Sequence, residues 1–336
     1  MNTSSADSVP ARKRTRHDED APQPQGLADL TRDKEFWLDD GSIVLITQKT
    51  AFKVYKGLLA AQSPVFADMV ATATPDPEHS LEGCPVVHLS DSPEDMRHFL
   101  RALLPKTHRC IFVEPGEKAF TFMQLSALVR LAHKYQVEDI QSQAIATLKK
   151  CFSDNFQDWN ADESCIPFAV PENPAVGIEV IHLARLTDCP KLLPSAFYFC
   201  STGGSKVLDG WRREDGTVVR LEVDDLKKLF SGYGKLQRMT DSFKSSIYTL
   251  TPSQRCGTWS KCLVALLAIQ GACPEGYPEP SLLDKLEEVI EYWRERHGLC
   301  SACGEMLRDN EKEARFKVWK SLPTLFELPI DDWESE

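Results

Sequence analysis

Apolar and polar positions along the first half of the chain change their period. "SIVLIT" gives a short apolar run, Ile43 to Ile46, after a turn at Asp39, Asp40 and Gly41. "FKVY" follows a break at "TQKT", with Phe52 and Val54 on one side and Lys53 and Tyr55 on the other. This period of two across a turn predicts a β-hairpin with one buried and one polar face. From Lys56 the period becomes helical. Leu58, Leu59 and Ala61 make a short turn, Ser63 and Pro64 give the cap-then-proline order of a helix start, and Phe66, Met69 and Val70 fall three and four apart. "PVVHLS", residues 85–90, reads as a third strand. Ser92, Pro93 and Asp95 then resemble a capping box ahead of the stripe Met96, Phe99, Leu100, Leu103 and Leu104, which Pro105 stops.

Two more helices follow. The first points Leu125, Leu128, Leu131, Ala132 and Tyr135 inward and Gln124, Arg130 and Lys134 outward; "EDIQSQAIATLKKCF" supplies the second. Hairpin, helix pair, strand and helical cluster in that order predict an α+β unit over residues 35–152. The prolines, Asn and acids of residues 153–176 mark a linker. Residues 177–336 carry helical stripes: Ile178, Ile181 and Leu186; Leu192, Leu193, Ala196 and Phe197; Leu236, Met239, Phe243, Ile247 and Leu250; then Leu282, Leu286, Val289 and Trp293 before a stop at Gly298. Pro190 and Pro194 place breaks, and Gly203-Gly204 and Gly232-Tyr233-Gly234 read as turns.

Residues 1–34 hold Ser, Pro, Gln and charge with too little apolar surface to offset ordering, which predicts a disordered tail. Within it, Arg12, Lys13, Arg14 and Arg16 form a compact basic run. Two readings stand: a nuclear-import signal, which makes the expected location nuclear or nucleocytoplasmic, and a solvated charge patch.

Hydrophobic residues at 42% suffice for the cores of two domains, and a net charge of -11 excludes a general nucleic-acid binder, because phosphate contacts need a basic surface. No run of about 18 apolar residues is present to span a bilayer. The opening residues lack an apolar signal core, and the eleven cysteines are expected to be reduced thiols inside a cell.

"DDGSIVLIT", "FKVYKGLLAAQSPVFADM" and "VVHLSDSPEDMRHFLRALL" in succession resemble a BTB/POZ domain over residues 35–152. Asp40 and Gly41 fit the family's turn before its first strand, Leu58, Leu59, Ser63 and Phe66 fit its "LLAxxSxxF" helix pair, and "LSALVRLAHKYQVEDI" fits a later helix. Tyr55 departs from the pattern, standing where the family usually has His. The resemblance implies a protein-interaction module that is commonly homodimeric and sometimes an adaptor for the cullin scaffold of ubiquitin ligases. In cullin-binding relatives a hydrophobic residue stands two before a Glu, the spacing of Phe112 and Glu114; the bland alternative is a strand or loop that contains the trio by chance. The rest of the chain is similar to large fungal, basidiomycete-type BTB families through Leu193, Pro194, Ala196 and Tyr198, the pair Cys300 and Cys303, and Trp319, Leu322, Pro323, Phe326 and Leu328. That likeness implies a helical partner region.

Cys300 and Cys303 have the spacing that lets two thiolates grip one tetrahedral metal from a tight turn, and Cys256 and Cys262 are candidates to complete a structural zinc site, with His297 or Cys273 as substitutes. Buried free thiols and a redox pair are the alternatives. There is no Walker-type phosphate loop, nucleophile elbow or His-Glu-x-x-His, and His88, His98, His133 and His182 lie in apolar or helical stretches where a structural role is expected. The sequence therefore predicts a non-enzymatic adaptor that self-associates through its first half. The competing readings are a substrate receptor of a cullin-based ubiquitin ligase and a zinc-stabilised transcriptional regulator acting through partners.

Overall fold

Residues 29–72, 80–104, 120–161, 166, 168–271 and 282–333 are described by a computed structural model of the chain. The architecture is mixed α+β. Strands β1 (Thr31–Trp37), β2 (Ile43–Thr47) and β3 (Thr50–Val54) lead into helices α1 (Lys56–Gln62) and α2 (Pro64–Thr72), after which β4 (Ser80–Leu81) and β5 (Cys84–Leu89) return to the sheet. The sheet order is β1-β3-β2-β5-β4, with β2 and β3 antiparallel and β2 and β5 parallel. The expected hairpin is thus β2–β3, closed by Gln48 and Lys49, with Thr47 opposite Thr50.

Both faces of that hairpin are buried, which corrects the expectation of one polar face. Ile43, Leu45, Phe52 and Val54 join the main core, while Val44, Ile46, Ala51 and Cys84 form a small cluster on the other side, with Trp37 and Leu81 packed against it. Lys53 is buried because its ammonium donates to the carbonyl of Asp39 (3.1 Å) and to Glu82 (3.2 Å). Strand β1 begins at Thr31, inside the segment read as a tail. Its sequence, TRDKEFW, has no strand signature of its own; it pairs with the edge of β3, and Asp33 accepts the amides of Glu35 and Phe36 (both 2.9 Å) and pairs with Arg97.

Helices α3 (Pro93–Leu103), α4 (Phe122–Lys134) and α5 (Glu138–Lys149), with the short strand β6 (Phe120–Thr121) ahead of α4, complete the first half. The Ser92 hydroxyl caps α3 by accepting the amide of Asp95 (3.1 Å), but the Asp95 carboxylate pairs with Arg130, so the box predicted there is only half made. The reciprocal box is at Thr121 and Gln124. Ser63 caps α2 by accepting the amide of Phe66 (3.1 Å) and donates to the carbonyl of Tyr135 (2.6 Å), tying α2 to the end of α4. Ser63→Ala strips a buried amide and a buried carbonyl of their partner at once. We expect it to cost about 2–3 kcal/mol, from a lost cap and an unsatisfied acceptor, read as a lower urea midpoint at unchanged slope.

The second half comprises α6 (Phe156–Trp159), β7 (Phe168–Ala169), α7 (Val176–Leu186), α8 (Leu193–Thr202), β8 (Trp211–Arg212), β9 (Val218–Val219), α9 (Val223–Ile247), α10 (Trp259–Gly271), α11 (Glu287–His297) and α12 (Ser301–Leu325). The described residues of the segment read as a linker are packed structure. Phe156 and Phe168 are buried, β7 pairs with β6, and Trp159 lies 4.9 Å from Trp319, because aromatic residues outweigh the prolines and acids around them. One continuous core of described residues runs from Phe36 to Leu328 and is shared by both halves. Gly232 and Gly234, read as turns, lie inside α9. A Cβ on Gly232 would meet the Phe326 ring at 2.2 Å, so glycine there admits the aromatic that follows α12. Leu250, placed on the inward stripe, lies beyond the end of α9 and is exposed. Asn310 donates to the carbonyl of Ile247 (3.2 Å) and Lys235 pairs with Glu327 (2.7 Å), so α9 and α12 run antiparallel.

Candidate metal centre

Four cysteine sulfurs converge where two helices begin. Helix α11 ends at Gly298, whose φ of 66° is the left-handed conformation glycine adopts without a Cβ penalty. The chain reverses through buried Leu299 to Cys300, which stands in extended backbone at the N-cap of α12. Cys303 sits in the first turn of that helix. Across from it, Cys256 closes a turn by donating its amide to the carbonyl of Ser253 (2.9 Å), and Cys262 lies in the first turn of α10 with its amide on the carbonyl of Thr258 (2.9 Å). The wide spacing from Cys256 to Cys262 is bridged because the first is on a loop and the second on a helix.

All four ligand atoms lie within 4.8 Å of one another, and the sulfurs of Cys256 and Cys300 are 3.7 Å apart. Tetrahedral zinc with bonds of about 2.3 Å sets sulfur–sulfur edges of about 3.8 Å; the Cys256–Cys300 edge has that length, and the clustering of all four is compatible with such an ion. Among the described residues this is the one group of three or more candidate ligands so gathered. Burial works to raise the Cys300 thiol, but the amide of Cys303 and hydrogen bonds from the other cysteines outweigh it and bring it down to about 7. Burial pushes Cys303 up to about 12. Of these two thiols Cys300 is therefore the readier to ionise, and Cys303 holds its proton. The Cys300 amide (3.5 Å) and the Thr258 hydroxyl (3.2 Å) also approach the Cys262 sulfur. His297, a proposed substitute ligand, is not part of the group: its ring stacks on Trp293 at 5.2 Å. Cys273, the other substitute, lies outside the described residues.

The residues singled out for interaction separate into two sets. Leu59, Ser63 and Phe66 are buried and serve the core, whereas Leu58 is 48% exposed on the outer side of α1. Tyr55 stands at the N-cap of α1, where its hydroxyl donates to Asp40 (2.6 Å), and that hydrogen bond raises its pKa. Phe112 and Glu114, and the basic run Arg12, Lys13, Arg14 and Arg16, lie outside the described residues. His98 bonds Glu214 (2.8 Å) and His182 meets the carbonyl of Arg220 (2.9 Å).

Sequence reasoning missed a buried ion network. Glu179 on α7 is fully buried and accepts from Ser126 and Arg130 of α4 and from Arg213 (3.0 Å), while Arg130 also grips Asp95 of α3 (2.7 Å). Arg130 is thus turned into the molecule rather than outward. The available signal was an acid among Val176, Ile178, Val180 and Ile181, a position that demands a cation once the helix is buried. Among the described residues no helix is long and apolar enough to cross a membrane. No protein-family model matches the chain, and no curated protein matches it.

Proposed function

We propose that the chain is a non-enzymatic adaptor of the BTB/POZ type. It pairs with a second copy through its sheet-and-helix half and offers its helical half, held by a structural zinc ion at Cys256, Cys262, Cys300 and Cys303, to a protein partner. Four protein ligands close a tetrahedral site and leave no position for substrate, which makes the zinc structural rather than catalytic. The observation that carries the self-association is the outer face of α1, where Leu58 stands exposed beside exposed Gly57 and Ala61 while Leu59 anchors the helix from behind. A large apolar side chain among small ones allows two such helices to approach closely about a two-fold axis.

Light scattering on the full chain at micromolar concentration tests this reading. The wild type is expected at twice the chain mass, and Leu58→Asp at the mass of one chain with an unchanged circular dichroism spectrum. Burying a carboxylate at the centre of such a contact is expected to weaken pairing at least about a hundredfold. A monomeric wild type would overturn the proposal.

A further inference from the structure

We propose that Cys256 and Cys300 form a peroxide-sensitive pair, whose oxidation to a disulfide opens the metal site and frees its ion. The inference rests on the zinc reading above for the ion, and on geometry for the pair. The four cysteines are not equivalent. Cys262 and Cys303 are fully buried and fixed within the first turns of α10 and α12. Cys256 and Cys300 are partly exposed and lie outside those helices, one in the loop before α10 and the other at the junction between α11 and α12. Their sulfurs, 3.7 Å apart, must close to about 2.05 Å to bond, and loop backbone on both sides can supply that movement without unwinding a helix. A small oxidant reaching the cluster from solvent meets these two sulfurs first.

The chemistry balances with hydrogen peroxide as the oxidant. One thiolate attacks a peroxide oxygen; the S–O bond forms, the O–O bond breaks, and a sulfenic acid and hydroxide result. The second thiolate attacks that sulfur, the S–S bond forms, and the S–O bond breaks to release a second hydroxide. The two hydroxides take two protons from solvent, so two thiolates, one peroxide and two protons give one disulfide and two waters. The ion then keeps two of its four ligands. Loss of half the donor set releases it and unties the loop before α10 from the start of α12.

The test uses the full chain as purified, titrated with hydrogen peroxide. Released zinc is followed with a chromogenic chelator, and disulfides are located by mass spectrometry after alkylation without reductant. A Cys256–Cys300 disulfide is expected, forming in step with zinc release and reversed by a thiol reductant plus zinc. A dominant Cys300–Cys303 bridge, sulfinic acid without a disulfide, or four unmodified cysteines at tenfold excess peroxide would each overturn the pair. Protein that carries no zinc as purified defeats the metal reading separately, and disulfide mapping on that metal-free protein still decides the pair.

Discussion

Glu179→Ala is expected to destabilise the chain by about 3–5 kcal/mol, the range for breaking a buried ion pair from one side. Four charges meet at the junction of the two halves: Asp95 and Glu179 against Arg130 and Arg213. They balance. Burial on its own would lower the Arg130 pKa, and the carboxylates of Glu179 and Asp95 outweigh it and raise it, so the guanidinium is charged and depends on both acids. Truncation leaves Asp95 as the one carboxylate on Arg130, strips the Ser126 hydroxyl of its acceptor, and removes the partner of Arg213. Arg213 is the more exposed of the two cations and can turn to water, so the loss falls on Arg130. Glu179→Gln retains one acceptor oxygen and the shape of the side chain and is expected to cost less than Glu179→Ala. Urea unfolding of the three proteins measures this. A loss below about 1 kcal/mol for Glu179→Ala would show that the network is energetically neutral.

The same network shows how far the sequence could be read. Periodicity with turn and capping residues locates the β2–β3 hairpin, the start of α2 at Ser63 and Pro64, and the inward stripes of α3 and α4, because each is decided by residues close in sequence. Elements decided by distant partners were illegible. Strand β1 forms on the edge of β3 and has almost no apolar signature, and α9 runs through two glycines because Phe326, some ninety positions away, fills the space beside Gly232. Helix α10 is apolar enough around its surface that no stripe stands out; Trp259, Val264 and Leu267 remain exposed while Cys262, Leu266 and Ile269 are buried. At the cysteine site all four ligands are named from sequence, but only the pair Cys300 and Cys303 has a spacing that argues for itself. That Cys256 and Cys262 join it follows from the antiparallel course of α9 and α12, which returns the loop before α10 to the start of α12.

Removal of the zinc proposed at the four cysteines is expected to have the second large effect, and a local one. The sulfurs connect three stretches of chain: the loop holding Cys256, the first turn of α10, and the turn from α11 into α12. With free zinc a thousandfold above its Kd, an ion held there would stabilise the folded state by about 4 kcal/mol, and a strong chelator would withdraw that stabilisation. For a chain of this size the loss corresponds to a fall in Tm on the order of 10 °C. Cys303→Ser is expected to reproduce it, since a serine hydroxyl at a buried position in the first turn of α12 is a poor zinc ligand and leaves three thiolates with an incomplete tetrahedron. Cys200→Ser serves as the contrast. Cys200 is also buried, between α7 and α8 against Gly177, where burial raises its pKa, and it is not part of the four-cysteine group, so this variant is expected to lose packing but leave zinc binding unchanged. Hydrogen exchange separates the two effects: chelation should release amides of α10 and the first turns of α12 while those of β2, β3 and α4 stay protected. Protection lost uniformly across the chain would mean that the ion supports the whole continuous core, and protection unchanged at α10 would mean that the four cysteines hold their positions by packing alone.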